Sequence, residues 1–203
     1  MTSCKLLARI FALCILCVLP LRMSAFDPLA ANIEENIAEP AVNPKHNAAV
    51  ASAMNNLLRT LRNAGYSAET VRSGEVVLVT VPAARLFAPN AVTLSDGASS
   101  VLAPLVPYIK RTDNYKIVIA MHSDNTGDEL YAERLTADRV NAVDEYFFKA
   151  CGNNDTGIIP YGLGSDEPVA PNTGIANREK NRRLEIYFIP TETFIDKAKK
   201  ARK

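Results

Sequence analysis

Three features of this 203-residue sequence predict a two-layer α+β domain over about residues 45–190. Short β-branched runs such as VVLVTV (76–81) read as buried strands. Between them lie segments with apolar residues at helical spacing. Gly, Pro and Asn clusters separate the two kinds of segment.

The chain opens with a three-part export pattern over residues 1–25. Lys5 and Arg9 form a positive region, Ile10 to Leu21 is apolar with a break at Pro20, and Met23-Ser24-Ala25 offers a small residue at the cut. The apolar run is shorter than the roughly 20 residues a spanning helix needs, so a cleaved signal is expected rather than a retained anchor. Cys14 and Cys17 each follow a leucine where lipid attachment would want a small residue. Residues 26–44, with Pro28, Pro40, Pro44, Glu34, Glu35 and Glu39, read as a linker in which IEENI can form a helical turn.

Residues 45–82 are expected to lead into the domain with a helix and a hairpin. Val50, Met54, Leu57, Leu58 and Leu61 place a helix over Asn47 to Asn63, closed by Gly65. Ala68–Val71 and Glu75–Val81 flank Ser73-Gly74 as the hairpin.

Residues 83–190 form the rest of the domain. Ser99 to Lys110 reads as a helix shortened or kinked by Pro104 and Pro107. Tyr115 to Met121 is a strand. Thr126, with Glu129 three residues on, or Thr136 is the expected cap of the next helix. Val140, Val143 and Phe147 mark that helix's apolar stripe, and Cys151-Gly152 ends it. Ile158–Tyr161 and Leu184–Ile189 are the remaining strands. Residues 191–203, ending in KAKKARK, read as a solvated basic tail.

The formal net charge is +1; without the leader's Lys5, Arg9 and Arg22 it becomes 20 basic against 22 acidic side chains, or −2. Such a balance, with no clustered positive surface apart from the tail, argues against nucleic acid. Three of the four cysteines lie in the leader, which leaves Cys151 with no internal disulfide partner. With no basic neighbour it is expected to be a buried apolar residue and not a nucleophile.

His122-Ser123-Asp124 invites a catalytic reading. Neighbours on a strand face opposite sides, however, so His122 and Ser123 are badly placed to meet. No Gly-x-Ser-x-Gly elbow exists in the chain. A metal site lacks ligands, since only His46 and His122 are present and no cysteines are paired. No cofactor is implied either: YGLGSDEP lacks the Lys-Ser/Thr of a phosphate loop, so Gly162 and Gly164 read as a turn. His122 is expected to be packed and hydrogen-bonded at the strand end.

What survives is an acid and a guanidinium. Asp124 stands where a strand opens to solvent, and Arg139 lies fifteen residues on, in a helix returning across the sheet end. Two readings stand side by side. The pair forms a socket for a zwitterion, the Asp taking an ammonium and the Arg forking onto a carboxylate, or it is an internal ion pair joining loop to helix.

Three motifs carry a resemblance over Leu86 to Ile186. IVIAMHSDNTG resembles a strand ending in Gly-His-Thr-Asp with a glycine soon after. LTADRVNAVDEYF resembles Leu-Ser-x-x-Arg-Ala-x-x-Val-x-x-Tyr-Leu. YGLGSDEPVAPN followed by NREKNRRLEIYF resembles Gly-x-Gly-x-x-x-Pro, then Gly-Arg-x-x-Asn-Arg-Arg-Val-Glu-Ile. In that order they are similar to the OmpA-like peptidoglycan-associated domain of outer-membrane protein A, the peptidoglycan-associated lipoproteins and the stator protein MotB.

The resemblance implies a mixed β-sheet of βαβαββ-type order with helices packed on one face, preceded here by an extra N-terminal helix. It implies a non-enzymatic domain that holds the diaminopimelate of the peptidoglycan stem peptide through Asp124 and Arg139, anchoring the envelope to the wall. Phe87, Asn90 and Ser123 are implied near the ligand, with His122, Arg178 and Arg182 in support. A periplasmic setting beside the outer membrane follows, with an outer-membrane or envelope protein as a further partner. No eight-stranded barrel precedes the domain, so tethering falls to a partner or a retained N-terminus. A domain of this kind used only for protein–protein assembly is the alternative. Met121, Ala132 and Asn177 depart from the family's Gly, Asn and Gly, and Asn90 stands where an Asp is common.

Overall fold

The computed structural model describes residues 32–154 and 156–201. The export leader, the start of the linker and the last two residues lie outside them. In chain order the elements are α1 (Ile33–Ala38), α2 (Asn47–Asn63), β1 (Ser67–Val71), β2 (Val76–Pro82), α3 (Ala98–Leu102), α4 (Val106–Ile109), β3 (Tyr115–His122), α5 (Glu129–Ala150), β4 (Ile159–Gly162), α6 (Ile175–Asn181), β5 (Arg183–Pro190) and α7 (Glu192–Ala201).

The five strands form a mixed sheet in the order β1-β2-β5-β3-β4, with β3 and β4 parallel and the other pairs antiparallel. From β2 onward the chain runs β, α, β, α, β, β, with the short α6 inside the last connection. The β1–β2 connection turns through Arg72, Ser73 and Gly74, all at positive φ. The region around Pro104 and Pro107 breaks into α3, a single 3-10 turn and α4.

Alternation along the strands divides the sheet into two faces. On the front face Val77, Val79, Val81, Ile117, Ile119, Met121, Leu184, Ile186 and Phe188 meet Met54, Leu57 and Leu61 of α2, Leu102 and Ile109 of the α3–α4 segment, and Val143 and Phe147 of α5. Cys151 is buried in this core, and burial raises its thiol pKa. Met121 packs in it as well, fully buried at the strand end.

Two segments differ from their sequence expectation. The IEENI stretch of the linker forms its helical turn as α1, capped by Asn32, but it is part of the fold and not a spacer: it lies on the rear face, where Ile33 joins Val76, Val118, Ala120, Ile159 and Ile189. Asn36 donates to the Tyr161 hydroxyl at 2.7 Å, and Arg72 donates to the Ile37 and Ala38 carbonyls at 2.7 and 2.8 Å. The basic tail is helical to Ala201, because Ile195 and Ala198 fall one turn apart and bury a stripe in the core while the lysines stay outside. The cap of α5 is Asp128, whose side chain accepts from Tyr131 N at 2.9 Å; neither Thr126 nor Thr136 fills that role. Thr136 instead lies within the helix, donating back to its own turn and accepting from Gly164 N at 2.9 Å.

That last contact brings β4 and α5 unusually close. A Cβ at Gly162 would stand 2.5 Å from Ala137 N and 2.6 Å from its Cα. Backbone atoms cannot yield as a flexible side chain can. Gly162→Ala should therefore destabilise the fold by about 1–3 kcal/mol, read as a lowered urea midpoint with unchanged slope.

Candidate functional site

The β3–β5 ladder ends on the pair His122 and Arg183. Each strand has a charged neighbour just beyond this pair, Asp124 after β3 and Arg182 before β5. Alternation turns His122 and Arg183 to the rear and Arg182 to the front; past the end of β3 the chain leaves strand geometry, and this brings Asp124 to the front as well, where it forms an ion pair with Arg182. Their carboxylate and guanidinium line a cavity of about 380 Å³ that also takes in Phe87, Asn90, Ser123, Thr126, Tyr131, Arg139 and Glu179.

Asp124 is 3 % exposed. Its Oδ1 accepts from Thr126 N at 2.7 Å, and its Oδ2 takes Arg182 Nη1. Burial alone would raise its pKa, but the Thr126 hydrogen bonds and the Arg182 charge outweigh it and hold the carboxyl below its ordinary value. The acid is ionised and both oxygens are engaged.

Arg139 is 6 % exposed and sits quite differently. Its Nε donates to the Ala91 carbonyl at 2.8 Å and its Nη2 to the Ala88 carbonyl at 3.3 Å. The guanidinium carbon lies 4.9 Å from the centre of the Phe87 ring. Burial lowers its pKa, and nearby Arg182 adds to that effect against Tyr131. Among the described residues it makes no ion pair with a carboxylate. The result is a buried cation held by neutral groups, an arrangement that favours an incoming anion.

The loop opposite is shaped by the same contacts. Asn90 adopts φ 57, a left-handed conformation that asparagine tolerates better than most residues. Its Oδ1 accepts from the Tyr131 hydroxyl at 3.4 Å. Ser123 Oγ donates to the Asp124 carbonyl at 3.0 Å, and Ser123 N donates to the Gly164 carbonyl.

Phe87, Asn90, Ser123, Asp124, Arg139 and Arg182 thus share one cavity. Two expected supporting residues stand apart from it. Arg178 is not among the lining residues; its Nη1 reaches the Asn172 carbonyl at 3.5 Å. His122 is buried at the rear, packed at the strand end and away from the cavity. Its Nε2 lies 3.2 Å from Glu185 Oε2. Sequence reasoning missed Tyr131 and Glu179 as lining residues. The Asp128 cap was the signal for Tyr131, since it fixes where the first turn of α5 begins.

The rear network supports the pocket. Glu185 Oε1 accepts from Arg183 Nε at 2.7 Å, and Oε2 accepts from the Tyr187 hydroxyl. Arg183 also donates to the Asn181 and Glu167 carbonyls, both at 3.2 Å, which holds the start of β5 where Arg182 enters the cavity.

Residues 86–182 match the family model described as the OmpA family. The outer-membrane lipoprotein YfiB of Pseudomonas aeruginosa is 34% identical over 107 residues, covering 53% of this chain and 62% of that protein. The peptidoglycan-binding protein ArfA of Mycobacterium tuberculosis is 35% identical over 98 residues, covering 45% and 30%. The chain therefore spans less than two thirds of the length of these relatives. Among solved structures, a MotB-like protein from Desulfovibrio vulgaris aligns with TM-score 0.61 at 28% identity, over 70% of this chain and 94% of that one. The cell wall anchor of the T6SS from Pseudomonas aeruginosa shares the fold at TM-score 0.54 and 21% identity, over 70% and 96%.

The rear network sets a pH dependence. Burial would raise the Glu185 carboxyl, but His122, Tyr187 and Arg183 together draw it from 4.5 down to about 2. A depressed carboxyl contributes stability above its unfolded pKa, and that contribution is lost as pH falls through the folded value. Glu185 should thus add roughly 3 kcal/mol at neutral pH and lose it between about pH 5 and pH 2. Urea unfolding across that range should show a steep acid limb in the wild type and a flatter one in Glu185→Gln.

Proposed function

Because the chain carries an OmpA family domain over residues 86–182, we propose that it binds the peptidoglycan stem peptide through the free amino-acid end of diaminopimelate and so anchors the envelope to the wall. The observation that carries this reading is the pairing in one cavity of a buried, ionised Asp124 with a buried Arg139 that lacks a carboxylate partner among the described residues. A zwitterion matches both: its carboxylate meets Arg139 and its ammonium meets Asp124. Phe87 and the Asn90 loop form the wall on which the ligand's methylene chain rests.

The role is binding without catalysis. Ser123 Oγ donates to the Asp124 carbonyl, and His122 lies on the other face of the sheet, so the imidazole does not stand beside the hydroxyl. The setting is the cell envelope, beside the outer membrane, with a further envelope protein as a partner. No helix among the described residues is long and apolar enough to cross a membrane.

Retention on purified peptidoglycan sacculi tests the reading. Asp124→Ala, Asp124→Asn and Arg139→Ala should each weaken retention about 10- to 100-fold, the loss of one charge-assisted contact. Retention indifferent to all three would sink it in favour of a domain used for protein–protein assembly alone. Release of soluble muropeptides that disappears in Ser123→Ala would instead make the protein an enzyme.

A further inference from the structure

The two halves of the cavity are not equally open. Arg139 is held in place by two carbonyls and a ring and has no anion beside it. Asp124 already holds a cation, because Arg182 occupies the oxygen that Thr126 leaves. The acid's side chain is 4 % exposed while that of Arg182 is 36 % exposed, so the arginine is the partner with room to move aside. Resting on the reading of the site above, we propose that Arg182 is a specificity-determining residue that excludes simple amines and admits only ligands bringing a carboxylate with their ammonium.

Charge balance produces the selectivity. An ammonium reaching Asp124 exchanges one charge-assisted hydrogen bond for another, with little gain from the exchange itself. The displaced guanidinium stays at a cavity that already contains Arg139. For a bare amine, three cations then face Asp124 and Glu179, the second carboxylate lining the cavity. A zwitterion supplies a further carboxylate, and the charges balance. Discrimination here comes from making the wrong ligand costly as much as from fitting the right one. Glu179 makes no ion pair among the described residues, and it lines the same cavity from α6, three positions before Arg182 at the helix's C-terminal cap, so it is placed to receive the displaced side chain.

The test compares two probes on the full chain by titration calorimetry: meso-diaminopimelate, and cadaverine, the same carbon chain without its carboxylates. Wild type should bind diaminopimelate and discriminate strongly against cadaverine. In Arg182→Ala, and in Arg182→Gln, which keeps most of the side chain's bulk, cadaverine should gain affinity and the ratio should fall at least tenfold. Thermal melts establish that both variants are folded. An unchanged ratio, with diaminopimelate binding still lost in Asp124→Ala, overturns the filter and leaves the reading of the site standing. Weaker diaminopimelate binding with no gain for cadaverine also overturns it, making Arg182 a ligand contact. Wild type that does not bind diaminopimelate overturns both.

Discussion

The antiparallel pairing of β3 with β5 is the interaction on which the site depends. It sets His122 against Arg183 at the last rung, and the residues beyond that rung become neighbours although 58 positions separate them. A slip of one residue would turn every side chain on the strand to the opposite face. His122 would then enter the cavity and Met121 would leave the core. The apolar front of β3, formed by Ile117, Ile119 and Met121, is what prevents the slip.

From that rung, two charge networks run on opposite sides of the sheet. At the front, Asp124 and Arg182 close across the cavity. At the rear, Glu185 gathers Arg183, Tyr187 and the ring of His122. They meet through the backbone at residues 182 and 183. The rear network is buried and its acid is strongly depressed, while the front pair is partly exposed on the arginine side. The enclosed charges sit behind the sheet and the solvent-facing one sits at the cavity.

Much of this was legible in the residues, and the exceptions have physical reasons. The α2 helix carries five apolar positions at helical spacing and a glycine stop, so its limits follow from pattern alone. Asp124 and Arg139 were identifiable because a strand end and a returning helix restrict where their charges can go. The Asp124–Arg182 pair was not, since it depends on strand order, which local spacing does not encode. IEENI is too short to signal packing, and only the sheet's rear face gives Ile33 a place to bury. In the basic tail, the abundance of lysine masked a two-residue apolar stripe that suffices once a core lies beside it.

The anchoring of Arg139 has a consequence in entropy. A free arginine side chain loses up to about 2 kcal/mol of rotamer freedom when it is fixed. Here the Ala88 and Ala91 carbonyls and the Phe87 ring have already fixed it during folding. An incoming carboxylate therefore meets a guanidinium with little disorder left to lose, so more of the contact's enthalpy remains as net affinity. Arg182 is the opposite case: on the proposed exchange it would leave Asp124 for the neighbourhood of Glu179. A carboxylate arriving at this cavity would then order little on the Arg139 side, because folding has already done that work.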